Sequence, residues 1–264
     1  MPGQDFDSTM MRGVNRQVFW RSFFLETLWN YENMQNVGFV FCIYPALYRL
    51  FPDRKERESA IARNLERLNT QPSMGPLLAG LIARLEHDMD ASAVLPYRKL
   101  IMSTLAAHGD HIFWGHVKPL AAIFGVIITL CFFGSVAGSM AVLVIYNVPN
   151  LLARFLGFSR GWTQGLNILQ TLHSQTLDRA MIVARLVLAL GLGVAAGLVV
   201  FSAKMFQQSH PGEVGPWVGG TLVVLSGVAG ALMLKRQVPL AVVAYLISLA
   251  SLMMLILAET GIRF

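Results

Sequence analysis

The sequence predicts an all-α fold: a polytopic membrane protein with broken or re-entrant N-terminal helices and three C-terminal transmembrane helices. Three observations carry that expectation. Of 264 residues, 55% are hydrophobic and 14% charged, with a mean hydropathy of +0.54, whereas soluble domains hold about 25% charged residues. Charge is spread through the first part of the chain and nearly absent from long windows after residue 115. Those windows reach the ~20 apolar residues that cross a bilayer as helix.

Residues 1–16 are polar, with Asp5, Asp7 and Arg12, and lack the basic-then-apolar pattern of a cleavable signal. They are expected to stay in the cytoplasm. Residues 17–115 read as helices interrupted by Pro and Gly. Phe19, Trp20, Phe23, Phe24, Leu28 and Trp29 precede a polar cluster, and 37–50 is nearly apolar up to Pro52. Neither piece is long enough for a clean span, so re-entrant or interfacial helices are expected. Residues 53–67 pair Arg54 with Glu58 and Arg63 with Glu66 at helical spacing, predicting a solvated cytoplasmic helix. After the break at Asn69-Thr70-Gln71-Pro72, Leu77, Leu81 and Leu85 predict an amphipathic helix over 74–90.

Residues 116–264 form the predicted membrane region, with spans near 120–148, 181–203, 214–234 and 239–258. The uncharged run 120–148 fits one tilted helix or two half-helices meeting near Gly134, and Gly134-x-x-x-Gly138 permits close helix packing. Residues 151–179 are mixed and amphipathic. The Lys235-Arg236 turn is assigned to the cytoplasm by the positive-inside rule, which places the C-terminus outside. An even number of crossings is then required between 115 and 178, which favours a paired or re-entrant arrangement of 120–148. Cys42 and Cys131 lie far apart in apolar runs and are expected to be small core residues. The net charge of +6 reads as cytoplasmic loops, and no basic stripe interleaved with aromatics points to nucleic acid.

The densest polar cluster is Trp29, Asn30, Glu32, Asn33, Gln35 and Asn36. On a helix, Trp29, Glu32, Asn33 and Asn36 would share one face, with Gln35 at its margin. An aromatic plate beside a carboxylate and amides suits a sugar, whose C–H face stacks while its hydroxyls pair. The same groups also serve as hydrogen-bonding glue between helices. Asp110 is a second acidic candidate, either capping a helix that runs into Phe113 and Trp114 or facing the sugar. His108, His111 and His116 cluster around it. Their spacing aims them only partly at one point, so no metal is expected; a pH-responsive gate and ordinary hydrogen-bonded residues remain as readings.

The segment Trp29-Asn30-Tyr31-Glu32-Asn33-Met34-Gln35-Asn36-Val37-Gly38-Phe39 resembles the W-N-Y-E-x-M-Q-x-x-G-F/Y signature of mannose-family IID components of the bacterial phosphotransferase system. Tyr44-Pro45-Ala46-Leu47 follows it. Asn69-Thr70-Gln71-Pro72 resembles that family's N-T-x-P turn, and Gly109-Asp110-His111-Ile112-Phe113-Trp114-Gly115 its G-D-P-I-F-W-G segment. Tyr146-Asn147, Gly157-Phe158, Gly161 and the Lys235-Arg236 turn are compatible with it. The sequence departs by carrying His111 for Pro, and Ser103-Thr104 where a Gly-Pro pair commonly stands. The resemblance implies a multi-pass inner-membrane subunit that acts with a IIC subunit to move a mannose-type hexose, phosphorylated by IIB and recharged by IIA. It implies no cofactor and no phosphorylation site on this chain, and the sequence holds no phosphate loop or Ser-His-Asp pattern with context. Trp29, Asn30, Glu32, Asn33, Gln35, Asn36 and Asp110 are the expected substrate contacts. Two alternatives are a non-transporting relict of the family and a cation transporter using the three histidines.

Overall fold

The computed structural model describes residues 4–132, 135–172 and 174–209. The predicted spans 214–234 and 239–258, the Lys235-Arg236 turn and Gly134 lie outside the described residues. Residues up to Gly191 form one compact unit, and Leu192 opens a second.

The described residues are helical, with isolated bridges in place of strands. The helices are α1 (Gln4–Arg21), α2 (Asn36–Leu50), α3 (Arg54–Asn64), α4 (Gly75–Asp88), α5 (Ala91–Ile112), α6 (Lys118–Phe132), α7 (Ser135–Gln164), α8 (Ile168–Leu172) and α9 (Gln175–Ser209). From Gln4 onward the polar opening is not a separate tail. It belongs to α1, because Met11, Val14 and Val18 recur on one face and are buried. Helix α2 stops before Pro52, whose ring disfavours helical backbone at Phe51 (φ −118°, ψ 87°). Asp53 then starts α3 by accepting from the Lys55 and Glu56 N–H groups at 2.8 and 3.1 Å.

Helix α4 departs from the amphipathic expectation. Every residue from Gly75 to Ala83, and Leu85 and Glu86 as well, is buried, so α4 forms the centre of the unit. The reason is its neighbours: α2, α5 and α7 all pack on it. Against α7 the approach is closest where glycines meet. A Cβ on Gly80 would strike the Phe158 carbonyl, one on Gly157 would lie 2.8 Å from the Leu77 nitrogen, and one on Gly161 would strike the Leu77 carbonyl.

The run 120–148 turns back on itself. Gly125 of α6 faces Gly138 and Val142 of α7, while Thr129 faces Gly138, an antiparallel register of the two helices. The stretches Ala91–Phe132 and Ser135–Leu172 are long and apolar enough to cross a membrane. The hairpin leaves its aliphatic residues outside: Val136, Met140, Leu143, Val144 and Leu152 are all exposed. Cys131 is exposed too, which corrects the expectation of a core residue there; Cys42 is fully buried in α2.

Two charge expectations also resolve differently. Arg54 and Glu58 do pair at 2.7 Å on the surface of α3. Arg63, however, reaches Glu86 of α4 at 2.6 Å instead of Glu66, and Glu66 sits 3.6 Å from Lys99. Helix α3 ends at Asn64, so Glu66 leaves the helical face, while the Glu86 side chain, 1% exposed, needs a counter-charge.

Candidate functional site

The signature segment is not a helix. Between Leu25 and Gln35 the chain forms turns, so the expected shared face of Trp29, Glu32, Asn33 and Asn36 does not exist. The local cause is a closed loop. Asn30 and Met34 exchange backbone hydrogen bonds at 3.1 and 2.8 Å, and the Asn30 side-chain oxygen accepts from the Asn33 N–H at 2.7 Å. Met34 closes it with φ +56°, a left-handed backbone that a non-glycine side chain adopts at a cost.

This loop is stitched to the turn after α3. The Gln35 and Leu68 backbones join at 2.9 Å, the Leu68 N–H donates to the Asn33 carbonyl at 3.2 Å, and Gln35 Oε1 accepts from the Thr70 N–H at 2.8 Å. Asn36 Nδ2 donates to the Leu65 carbonyl at 2.6 Å, and its Oδ1 accepts from Asn30 at 3.4 Å. Gln35 also reaches Glu26 at 3.4 Å. Leu25 wedges beneath: a Cβ on Gly38 would collide with its carbonyl, and Gly75 lies under its side chain.

The third segment closes on the same turn. A Cβ on Gly109 would meet Gln71 Cβ at 2.6 Å and Met74 Cγ at 2.9 Å, so only glycine lets α5 pass there. Arg98, lower on α5 and fully buried, donates to the Asn64 and Glu66 carbonyls at 3.2 and 3.0 Å, holding the end of α3. Its side chain and the Glu86 carboxylate, which accepts from Asn64 Nδ2 at 2.9 Å, were missed by sequence reasoning. An arginine next to a lysine in a mixed stretch carries no mark of burial.

The predicted site residues therefore divide. Asn30, Gln35 and Asn36 spend their side chains inside the knot, and Asn33 contributes its backbone. Trp29 and Glu32 are exposed, with Tyr31, 91% exposed, packed edge-on against Trp29 at 4.9 Å. Glu32 makes no side-chain hydrogen bond among the described residues.

Asp110 does not cap a helix. It lies in the last turn of α5 and is exposed, because His111 keeps the N–H that Pro lacks and the helix continues through it. The helix then widens into a π-turn at Phe113–Val117. There the His116 ring takes up the His111 carbonyl at 2.7 Å, and the two imidazoles sit 4.7 Å apart, edge to face. His108 bonds instead to the Thr104 carbonyl at 2.9 Å. Among the described residues no three His, Cys, Asp or Glu side chains converge as a metal site would need.

A helical chain with exposed apolar stretches of spanning length, beside a compact part in which Arg98, Glu86, Gln35 and Asn36 are buried and hydrogen-bonded, belongs to the class of helical membrane proteins. Within that class the comparisons are specific. Residues 10–215 match the phosphotransferase system mannose/fructose/sorbose family IID component, and the chain belongs to this family. It is 35% identical over 191 residues to the mannose-specific EIID component of Escherichia coli (strain K12), covering 70% of this chain and 66% of that one. With the fructose permease IID component of Bacillus subtilis (strain 168) it shares 30% identity over 188 residues, 69% of this chain and 66% of the relative. The chain thus spans about two thirds of the length of these curated relatives. Among solved structures, one described as a membrane protein superposes with a TM-score of 0.66 at 27% identity, covering 90% of this chain and 95% of that chain. A chain of the mannose transporter ManYZ and microcin E492 complex superposes at 0.54 and 26% identity, with 95% and 97% covered.

Proposed function

We propose that this chain is the IID membrane subunit of a phosphotransferase-system sugar permease. With a IIC subunit it helps translocate a mannose-type hexose, which IIB phosphorylates after being recharged by IIA. The observation that carries this reading is the convergence of the three signature segments, 29–39, 69–72 and 109–115, on one turn. The relatives' names, with mannose and fructose among them, and the paired ManYZ transporter support the same role.

Within the knot we assign two tasks. Asn30, Asn33, Gln35 and Asn36 hold the loop in shape, and Trp29, Glu32 and Asp110 present an aromatic plate and two carboxylates to the sugar path or to IIC. The chain lies in the bacterial inner membrane as a multi-pass protein, with its N-terminus in the cytoplasm and its C-terminus outside. The N-terminal helices are broken or re-entrant, the α6–α7 hairpin supplies paired passages, and 181–203, 214–234 and 239–258 cross in turn. Phosphoryl groups stay on the partners.

Glu32→Ala is the sharpest test, read as phosphoenolpyruvate-dependent uptake together with co-purification of IIC. Lost uptake with intact assembly supports the assignment. Survival of both removes Glu32 from the function, and failed assembly makes it an interface residue. A stable phosphohistidine on this chain after incubation with phosphorylated IIB would defeat the non-catalytic role. One observation favours a second reading, a non-transporting relict: His111 straightens the segment where the family carries Pro. Hexose binding by the purified IIC–IID pair separates the two.

A further inference from the structure

Beside α7, α8 and the first turns of α9 runs an open groove of about 1290 Å³. It is larger than the roughly 300–1,000 Å³ of ordinary small-molecule pockets. Its lining changes character along α7, from Leu152 and Leu156 to Arg160, Thr163 and Gln164. Among the described residues, Arg160 is the only charged one in that lining. Its guanidinium has no hydrogen-bond or ion-pair partner among the described residues.

The position of this change is set by the helix. Along α7, Val136, Met140, Leu143, Leu151 and Phe155 share one exposed aliphatic or aromatic side. At 1.5 Å per residue that stripe is about 30 Å long, the thickness of a bilayer's hydrocarbon layer. With that stripe set across the hydrocarbon layer, Arg160, little more than one turn beyond its end, comes to the depth of lipid headgroups.

We infer that this groove binds one anionic phospholipid, with an acyl chain against Leu152 and Leu156 and the phosphodiester on Arg160, assisted by donors from Thr163 and Gln164. A single unpaired cation matches the single negative charge of a phosphodiester, and hydroxyl and amide groups supply the remaining hydrogen bonds. The apolar end distinguishes a lipid from a free phosphate, which has nothing to place there.

The test uses the full chain, purified in neutral detergent with the subunits that accompany it, and titrated by native mass spectrometry with phosphatidylglycerol or phosphatidylcholine of the same acyl chains. Phosphatidylglycerol, with a net charge of −1, is expected to bind about tenfold more tightly than phosphatidylcholine, whose quaternary ammonium offsets the same phosphodiester charge beside Arg160, a difference of about 1.4 kcal/mol. Arg160→Gln is expected to remove that preference, Arg160→Lys to keep most of it, and Leu156→Trp to weaken both lipids by filling the apolar end. All three substitutions are at exposed positions, and size-exclusion profiles check that the fold is retained. An unchanged preference in Arg160→Gln overturns the proposal, as do equal binding of the two lipids by the unsubstituted chain or displacement of the lipid by millimolar inorganic phosphate.

Discussion

Around α3, α4 and α5 the interior holds Arg98, Glu86, Asn64, Gln35 and Asn36, each tied to a backbone carbonyl, an amide or an opposite charge. In the α6–α7 hairpin the order is reversed. Leu143, Val144, Val148 and Leu152 point outward, and the contact between the helices is made by Gly125, Gly138 and Thr129. The difference follows from what surrounds each part. Backbone and side-chain polar groups of irregular segments must be satisfied from within when water is scarce, whereas a helix that has satisfied its own backbone can leave aliphatic side chains in lipid. Helix α7 joins the two regimes: its first half belongs to the hairpin, and its second half lies on α4 through Gly157 and Gly161.

That contrast can be broken most forcefully in the buried network. Glu86→Ala removes the only acidic partner bonded to Arg63 and Asn64 among the described residues. It should cost about 3–5 kcal/mol, the usual penalty for orphaning a buried charge, read as lost folded chain in the membrane and a lowered unfolding midpoint in detergent. Matched leucine truncations sharpen the comparison. Leu78→Ala, fully buried in α4, should cost about 2–5 kcal/mol, and Leu143→Ala, exposed on the hairpin, less than about 0.5 kcal/mol. Equal costs would mean that the outer face of the hairpin is packed against protein instead of lipid.

Gln35→Ala tests the knot itself. It removes the acceptor of the Thr70 N–H and should cost about 1–3 kcal/mol. The expected readout is faster proteolysis of the 65–74 turn together with reduced uptake. The smallest effect belongs to the cysteines. Cys42 is buried and Cys131 exposed, so maleimide labelling in detergent should modify Cys131 and leave Cys42 untouched until the chain unfolds.

Several features were legible in the sequence. The nearly apolar run 37–50 is bounded by a polar cluster and Pro52, and a mixed-charge helix follows from residue 53 with Arg54 paired to Glu58, both local effects that need no distant partner. The membrane character of the hairpin follows from composition alone. Local spacing failed where a distant group decided the outcome. The 29–36 segment has the residues for a polar helix face, yet Asn33 and Gln35 pair with Leu68 and Thr70, more than thirty residues away, and a left-handed Met34 locks the loop. Arg63 left its i+3 partner for the same kind of reason.

By itself, then, the sequence determined that this chain is helical and made for a membrane, which family signature it carries and where its apolar runs begin and end. Periodicity, Pro and charge act over a few residues, so they can be read without a fold. Only the tertiary structure decided that α4 is buried on nearly every side, that Gly80, Gly157 and Gly161 let two helices touch, and that three separated motifs close on one turn. Close approach and the pairing of buried polar groups depend on which segments meet, and no window along a single chain contains that information.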